Sequence, residues 1–78
     1  MNNVKNILVT PDSKIEQLVK EVINLEAQEI VLEVSDAATV LNNEINLRML
    51  KFYAEEEAKE IIIKAADPQL LSLAQRIG

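Results

Sequence analysis

Three aspartates stand where carboxylate chemistry would be placed. Asp12, Asp36 and Asp67 each follow closely on a short aliphatic run. Carboxylates gathered at the ends of such runs would offer the oxygen ligands that a hard cation such as Mg²⁺ prefers. An aspartate at a strand-to-helix junction also has a plainer use, accepting from the free backbone N–H groups of a helix start or shaping the turn before it. Ser35 stands directly before Asp36, where a serine has the plain role of an ST-turn. Asp12, Ser35, Asp36 and Asp67 are therefore the candidate strand-end site. Glu55, Glu56, Glu57 and Glu60 make an acidic cluster, which is either a solvated face or a docking patch for a basic partner.

Composition removes most other chemistry. The chain has no cysteine and no histidine, so thiolate nucleophiles, disulfides and the usual zinc ligands are missing, together with the usual base near neutral pH. No serine has an obvious base partner. The one glycine is Gly78, which rules out a glycine-rich phosphate loop. These absences point to a protein that is not an enzyme and that needs neither cofactor nor metal. A formal charge of −5, from 13 acidic and 8 basic residues, leaves no basic stripe to displace counterions from nucleic acid. No apolar run approaches the roughly 18 residues needed to span a bilayer. Residues 1–6 lack the layout of a signal peptide, so the expected location is cytoplasmic, or the cytosolic face of a membrane-anchored protein.

The candidate residues must be positioned by short elements. Seventy-eight residues make a single domain, 1–78, with 49% hydrophobic and only 3% aromatic residues, so its core is aliphatic. A stability of roughly 4–12 kcal/mol would be ordinary for this length. Residues 4–10 read as a first strand centred on Ile7-Leu8-Val9. Ser13 and Glu16 then fit a capping box, with Asp12 as the rival cap. The helix to about residue 25 places Ile15, Leu18, Val19, Val22 and Ile23 on one stripe. Residues 29–34 alternate as a second strand. After an irregular stretch over 35–43, in which Asp36 would cap a single turn, Asn42 or Asn43 opens a second helix. Its stripe is Leu47, Leu50, Ala54 and Ala58, flanked by Ile45, Met49 and Tyr53. Residues 60–64 form a third strand. Asp67 caps a last helix that has Pro68 at its first position and Gly78 at its C′ position.

The order βαβαβα predicts an α/β, Rossmann-like fold with a three-stranded parallel sheet joined by right-handed crossovers. Glu33 predicts that the second strand lies at an edge or has one face open to water, because a parallel strand is normally buried on both faces. The preferred expectation is strand order 2-1-3, with Ile7-Leu8-Val9 in the middle and helices on both faces. The edges then belong to strands two and three. Glu29 and Glu33 would guard the former, while Ile61, Ile62 and Ile63 leave the latter open to pairing.

The second half carries a family resemblance. Asn46-Leu47-Arg48-Met49-Leu50-Lys51, Ala54-Glu55-Glu56, Lys59-Glu60-Ile61-Ile62-Ile63, Asp67-Pro68 and the run from Ala74 to Gly78 resemble a small α/β module. That module lies near the N-terminus of many bacterial multidomain proteins, some membrane-anchored or baseplate-J-like. The first half matches more loosely, through Ile7 to Val9 and Asp12 to Ile15. Ala58 stands where the family has a helix-ending glycine, and Glu57 where it often has leucine. The family pattern also continues past the position of Gly78 into another short strand. The shared residues determine fold, and no catalytic residue is implied. A weaker similarity links the layout from Ser35 onward to the later half of STAS domains, in which a serine or threonine at a helix start can be a phosphoswitch; Ser35 and Thr39 are the candidates this resemblance implies here. STAS domains begin with a hairpin that is missing here. The three aspartates would likewise resemble a phospho-receiver site, although a receiver has more strands.

The expected function is thus a non-catalytic interaction or structural module, the N-terminal part of a larger bacterial protein. Its partner would be another protein, the remainder of its own chain, or a second copy of itself, with no nucleic acid and no membrane insertion. The alternative is a STAS-like or receiver-like phospho-regulated switch.

Overall fold

The computed structural model describes residues 3–77. Strands β1 (Val4–Val9), β2 (Glu29–Val34) and β3 (Glu60–Lys64) alternate with helices α1 (Ile15–Asn24), α2 (Glu44–Glu56) and α3 (Pro68–Ile77). The sheet is wholly parallel, and its order is β1-β2-β3. The expected order 2-1-3 is therefore wrong: β2 is central, and the edges belong to β1 and β3.

The reason lies in what shares a face. Register sets Val4 beside Glu29 and Glu29 beside Glu60, Asn6 beside Val31 and Val31 beside Ile62, and Leu8 beside Glu33 and Glu33 beside Lys64. Every charged residue of β2 falls on that one face. The opposite face carries Ile7, Val9, Ile30, Leu32, Ile61 and Ile63, which join the core with Leu18, Val22, Leu47, Leu50, Ala54 and Leu70 of the helices. Two right-handed crossovers that progress in one direction leave their helices on the same side, so the helices cover one face rather than both. Glu33 marks a half-open central strand instead of an edge. Leu8, expected at the buried centre, is 63% exposed, and Ile62 is 41% exposed.

Helix ends depart from expectation at α1. Ser13 does not cap it. Its Oγ accepts from Thr10 N at 2.9 Å and its N–H donates to Thr10 O at 3.0 Å, closing a turn with Pro11 and Asp12 at the centre. The N-cap position falls to Lys14, which makes no side-chain cap bond. Asn43 caps α2, accepting from Ile45 N and Asn46 N. Asp36 does not open a helical turn; residues 35–38 form a turn closed by Ala38 N–H donating to Ser35 O. The proposed role of Gly78 lies outside the described residues.

The far end of α1 is closed by a residue distant in sequence. Its C-cap, Leu25, is extended and no basic side chain lies in its last turn, so its final carbonyls lack the usual local partners. Lys59 Nζ supplies them, donating to Val22 O at 2.6 Å, Ile23 O at 2.9 Å and Leu25 O at 2.6 Å. A cation there also complements the negative end of the helix dipole. Lys51 does the same for α3, donating to Ile77 O at 3.0 Å. Lys59 is brought into place by the chain reversal that ends α2. Ala58 N–H donates to Glu55 O and Lys59 N–H to Ala54 O, the paired bonds of a Schellman motif, which place Ala58 in the left-handed region with φ 55°.

Two stability changes of opposite sign are expected. Ala58→Gly removes a Cβ penalty and raises stability by roughly 1 kcal/mol. Lys59→Met keeps the aliphatic stem but strands the α1 carbonyls, and lowers stability by about 2 kcal/mol. Urea unfolding of the three proteins, followed by circular dichroism, checks both.

Candidate functional site

At the carboxyl ends of the strands Ser35, Asp36 and Asp67 come to one cavity, which Asp12 does not line. Asp12 is exposed in its turn. Asp36 and Asp67 border one small cavity with Ser35, Ala38, Ala66 and Leu70, and its volume is only ≈ 10 Å³, about one water-sized sphere. Asp67 is committed elsewhere: Oδ1 accepts from Gln69 N at 2.9 Å, the expected cap, and Oδ2 accepts from Asn42 Nδ2 at 3.2 Å. Ser35 Oγ is buried and finds no hydrogen-bond partner among the described residues, while Thr39 is exposed. Among the described residues no group of three His, Cys, Asp or Glu side chains is placed to hold a metal ion.

The residues of the family-like motif turn out to have structural partners. Asn46 Nδ2 donates to Val40 O at 2.8 Å and so fastens the irregular stretch to α2. Leu47, Leu50 and Ala54 are buried, and Lys51 and Lys59 close two neighbouring helices. Arg48 pairs with Glu44 at 3.3 Å, and Lys51 approaches Glu55 at 3.8 Å; both are exposed i,i+4 pairs of small energetic weight.

A larger feature lies along β3. β3 lies at the sheet edge, and a groove of ≈ 640 Å³ runs along it between α2 and α3. Its walls include Leu47, Leu50, Ile61, Ile63, Leu71 and Ile77, and Lys51, Lys59, Glu55 and Glu60 also line it. The backbone polarity of β3 is settled by Glu60 N–H, which donates to Gln28 O at 2.8 Å. Successive residues face opposite ways, so Ile62 also turns its polar groups to β2, while Ile61 and Ile63 present theirs to the free edge. The expected interaction residues Ile61, Ile62 and Ile63 thus occupy an edge strand, although its counterpart edge is β1 and not β2.

Two further surfaces are exposed, the first missed in the sequence and the second holding Ile45, Met49 and Tyr53, which the sequence suggested only as flanks of the α2 core stripe. The bare sheet face exposes Val4, Leu8 and Ile62, and the outer side of α2 exposes Ile45, Met49, Phe52 and Tyr53. The spacing of the α2 group, at i, i+4, i+7 and i+8, is visible in the sequence as a second apolar stripe. Phe52 and Tyr53 stack edge to face at 5.3 Å.

Comparisons with family models, with curated proteins and with solved structures found no match for this chain. No helix among the described residues is long and apolar enough to cross a membrane.

A chain titrated with Mg²⁺ and beryllofluoride should show only diffuse, non-saturable NMR shifts at Asp12, Asp36 and Asp67, because the cavity between the latter two is too small for a phosphoryl group and Asp67 is already bonded. Saturable shifts centred on these residues would promote the receiver-like alternative.

Proposed function

We propose that this chain is a non-catalytic interaction or structural module that works through the free edge of β3. One observation carries the reading. An aliphatic edge strand turns the N–H and C=O groups of Ile61 and Ile63 away from the sheet, beside an aliphatic groove, with no strand beyond it among the described residues. Such edges are templates for another strand, and strand addition with side-chain pockets alongside is a recurring mode of peptide recognition. The partner is a protein, the rest of the same polypeptide, or a second copy.

The resemblance supports placing the module at the N-terminus of a larger bacterial protein. The lack of cysteine and the acidic balance support a cytoplasmic setting, or the cytosolic face of a membrane-anchored protein, with no nucleic-acid partner. The switch alternative has less support, since the Ser35 hydroxyl is buried and would reach a kinase only after local opening.

Hydrogen exchange tests the edge. In the isolated chain at low concentration, the amides of Ile61 and Ile63 should exchange at least about tenfold faster than that of Ile62, which faces β2. Slow exchange of Ile61 and Ile63 in a monomer would mean that the edge is already covered, and the reading would fall.

A further inference from the structure

We infer that the occupant of the β3 edge is a second copy of this chain, paired antiparallel about a two-fold axis through Ile62. The inference rests on the open-edge reading above and adds the identity and register of the partner.

The strand reads Glu60-Ile61-Ile62-Ile63-Lys64, a pattern that meets its own reverse with opposite charges. A two-fold at Ile62 sets Glu60 opposite Lys64 of the second copy, Lys64 opposite its Glu60, Ile61 opposite its Ile63, and Ile62 opposite itself. Opposite-charge and β-branched cross-strand pairs are the favourable ones. The backbone agrees with the same register. Ile61 and Ile63 face the free edge, and an antiparallel ladder requires the outward-facing residues to oppose each other and exchange both bonds. The pairs Ile61–Ile63 and Ile63–Ile61 do this, while Ile62–Ile62 becomes the close pair without hydrogen bonds.

Other registers lose this match. Moving the axis to Ile61 sets Glu60 against Ile62 and Lys59 against Ile63, and moving it to Ile63 sets Lys64 against Ile62. The other edge offers no equivalent. Ser35 N–H donates to Val9 O, so Val4, Asn6 and Leu8 are the outward residues of β1. Self-pairing about Asn6 would set Lys5 against Ile7, a charge against an aliphatic side chain. β3 is thus the self-complementary edge, and its pairing closes as an isologous dimer. The product is a six-stranded sheet with β1 at both rims. The faces also match, because Ile61 and Ile63 of both copies fall on the helix-bearing side and continue the aliphatic floor of the two grooves across the seam.

The test uses the 78-residue chain, which has no cysteine of its own. Sedimentation should show a concentration-dependent dimer. Ile62→Cys should cross-link under mild oxidation, since a close antiparallel pair has Cα atoms about 4.5 Å apart, within disulfide reach. Val31→Cys, one strand further in, should not cross-link. Glu60→Lys and Lys64→Glu, both at exposed positions, should each weaken the dimer by about tenfold, and the combined swap should restore it. Cross-linking of Val31→Cys as readily as Ile62→Cys would instead indicate stacking of the bare sheet faces and overturn the inference, as would a double swap that fails to recover dimerisation. A chain monomeric at the highest attainable concentration also overturns it. In that monomer, rapid exchange of Ile61 and Ile63 leaves the open-edge reading standing, whereas slow exchange removes both.

Discussion

The three hydrogen bonds from Lys59 link the two halves of this domain at the end of α1. The ammonium group sits at the end of α1 where Val22, Ile23 and Leu25 present carbonyls, and it arrives from the turn that leads α2 into β3. One side chain therefore ties the exit of the first crossover to the exit of the second. The geometry has a backbone cost, since Ala58 must sit at φ 55°, a conformation suited to glycine. Lys51 repeats the device on α3. Short helices gain little from their own propensity, so closing their C-terminal ends with cations from neighbours compensates for weak local capping.

The second governing constraint is that the strands have only one apolar face to share. With Glu29, Glu33, Glu60, Lys64 and Asn6 all on one side, the helices must gather on the other. The aliphatic supply of a 78-residue chain suffices for a single helix–sheet interface, and no polar side chain among the described residues is buried in it. The result leaves an open sheet face, an aliphatic edge and a groove under α3, all of them places where another polypeptide can add what one short chain cannot.

Local features of this fold were legible in the sequence, and global ones were not. The bounds of β2 and β3 follow from their runs of β-branched residues flanked by charge, and Pro68 after Asp67 announces α3. The apolar stripes of α1 and α2 identify Leu18, Val22, Leu47, Leu50 and Ala54 as core. Strand order was misread because Glu33 signals exposure without saying whether an edge or a face is exposed. The general rule that parallel sheets are covered on both sides tipped the reading toward the edge. The capping box at Ser13 failed because Pro11 favours a turn that uses the same hydroxyl. The role of Lys59 had no local signal, since its acceptors lie more than thirty residues away. Of the candidate site, the cap at Asp67 and the edge position of Ile61–Ile63 were visible. That Asp36 and Asp67 border one cavity while Asp12 does not was hidden, because it depends on where each loop folds.

The sequential strand order also shapes how the chain reaches its native state. Each strand pairs with the one that precedes it, across a single crossover, and no strand must wait for a partner two crossovers away. Loop-closure entropy is smallest for such nearest-in-sequence pairings, and folding speeds up as contacts become more local. A chain emerging from the ribosome exposes β1, α1 and β2 before α2 comes out. It can then dock each later element onto a finished surface, with Lys59 locking the end of α1 before β3 and α3 follow.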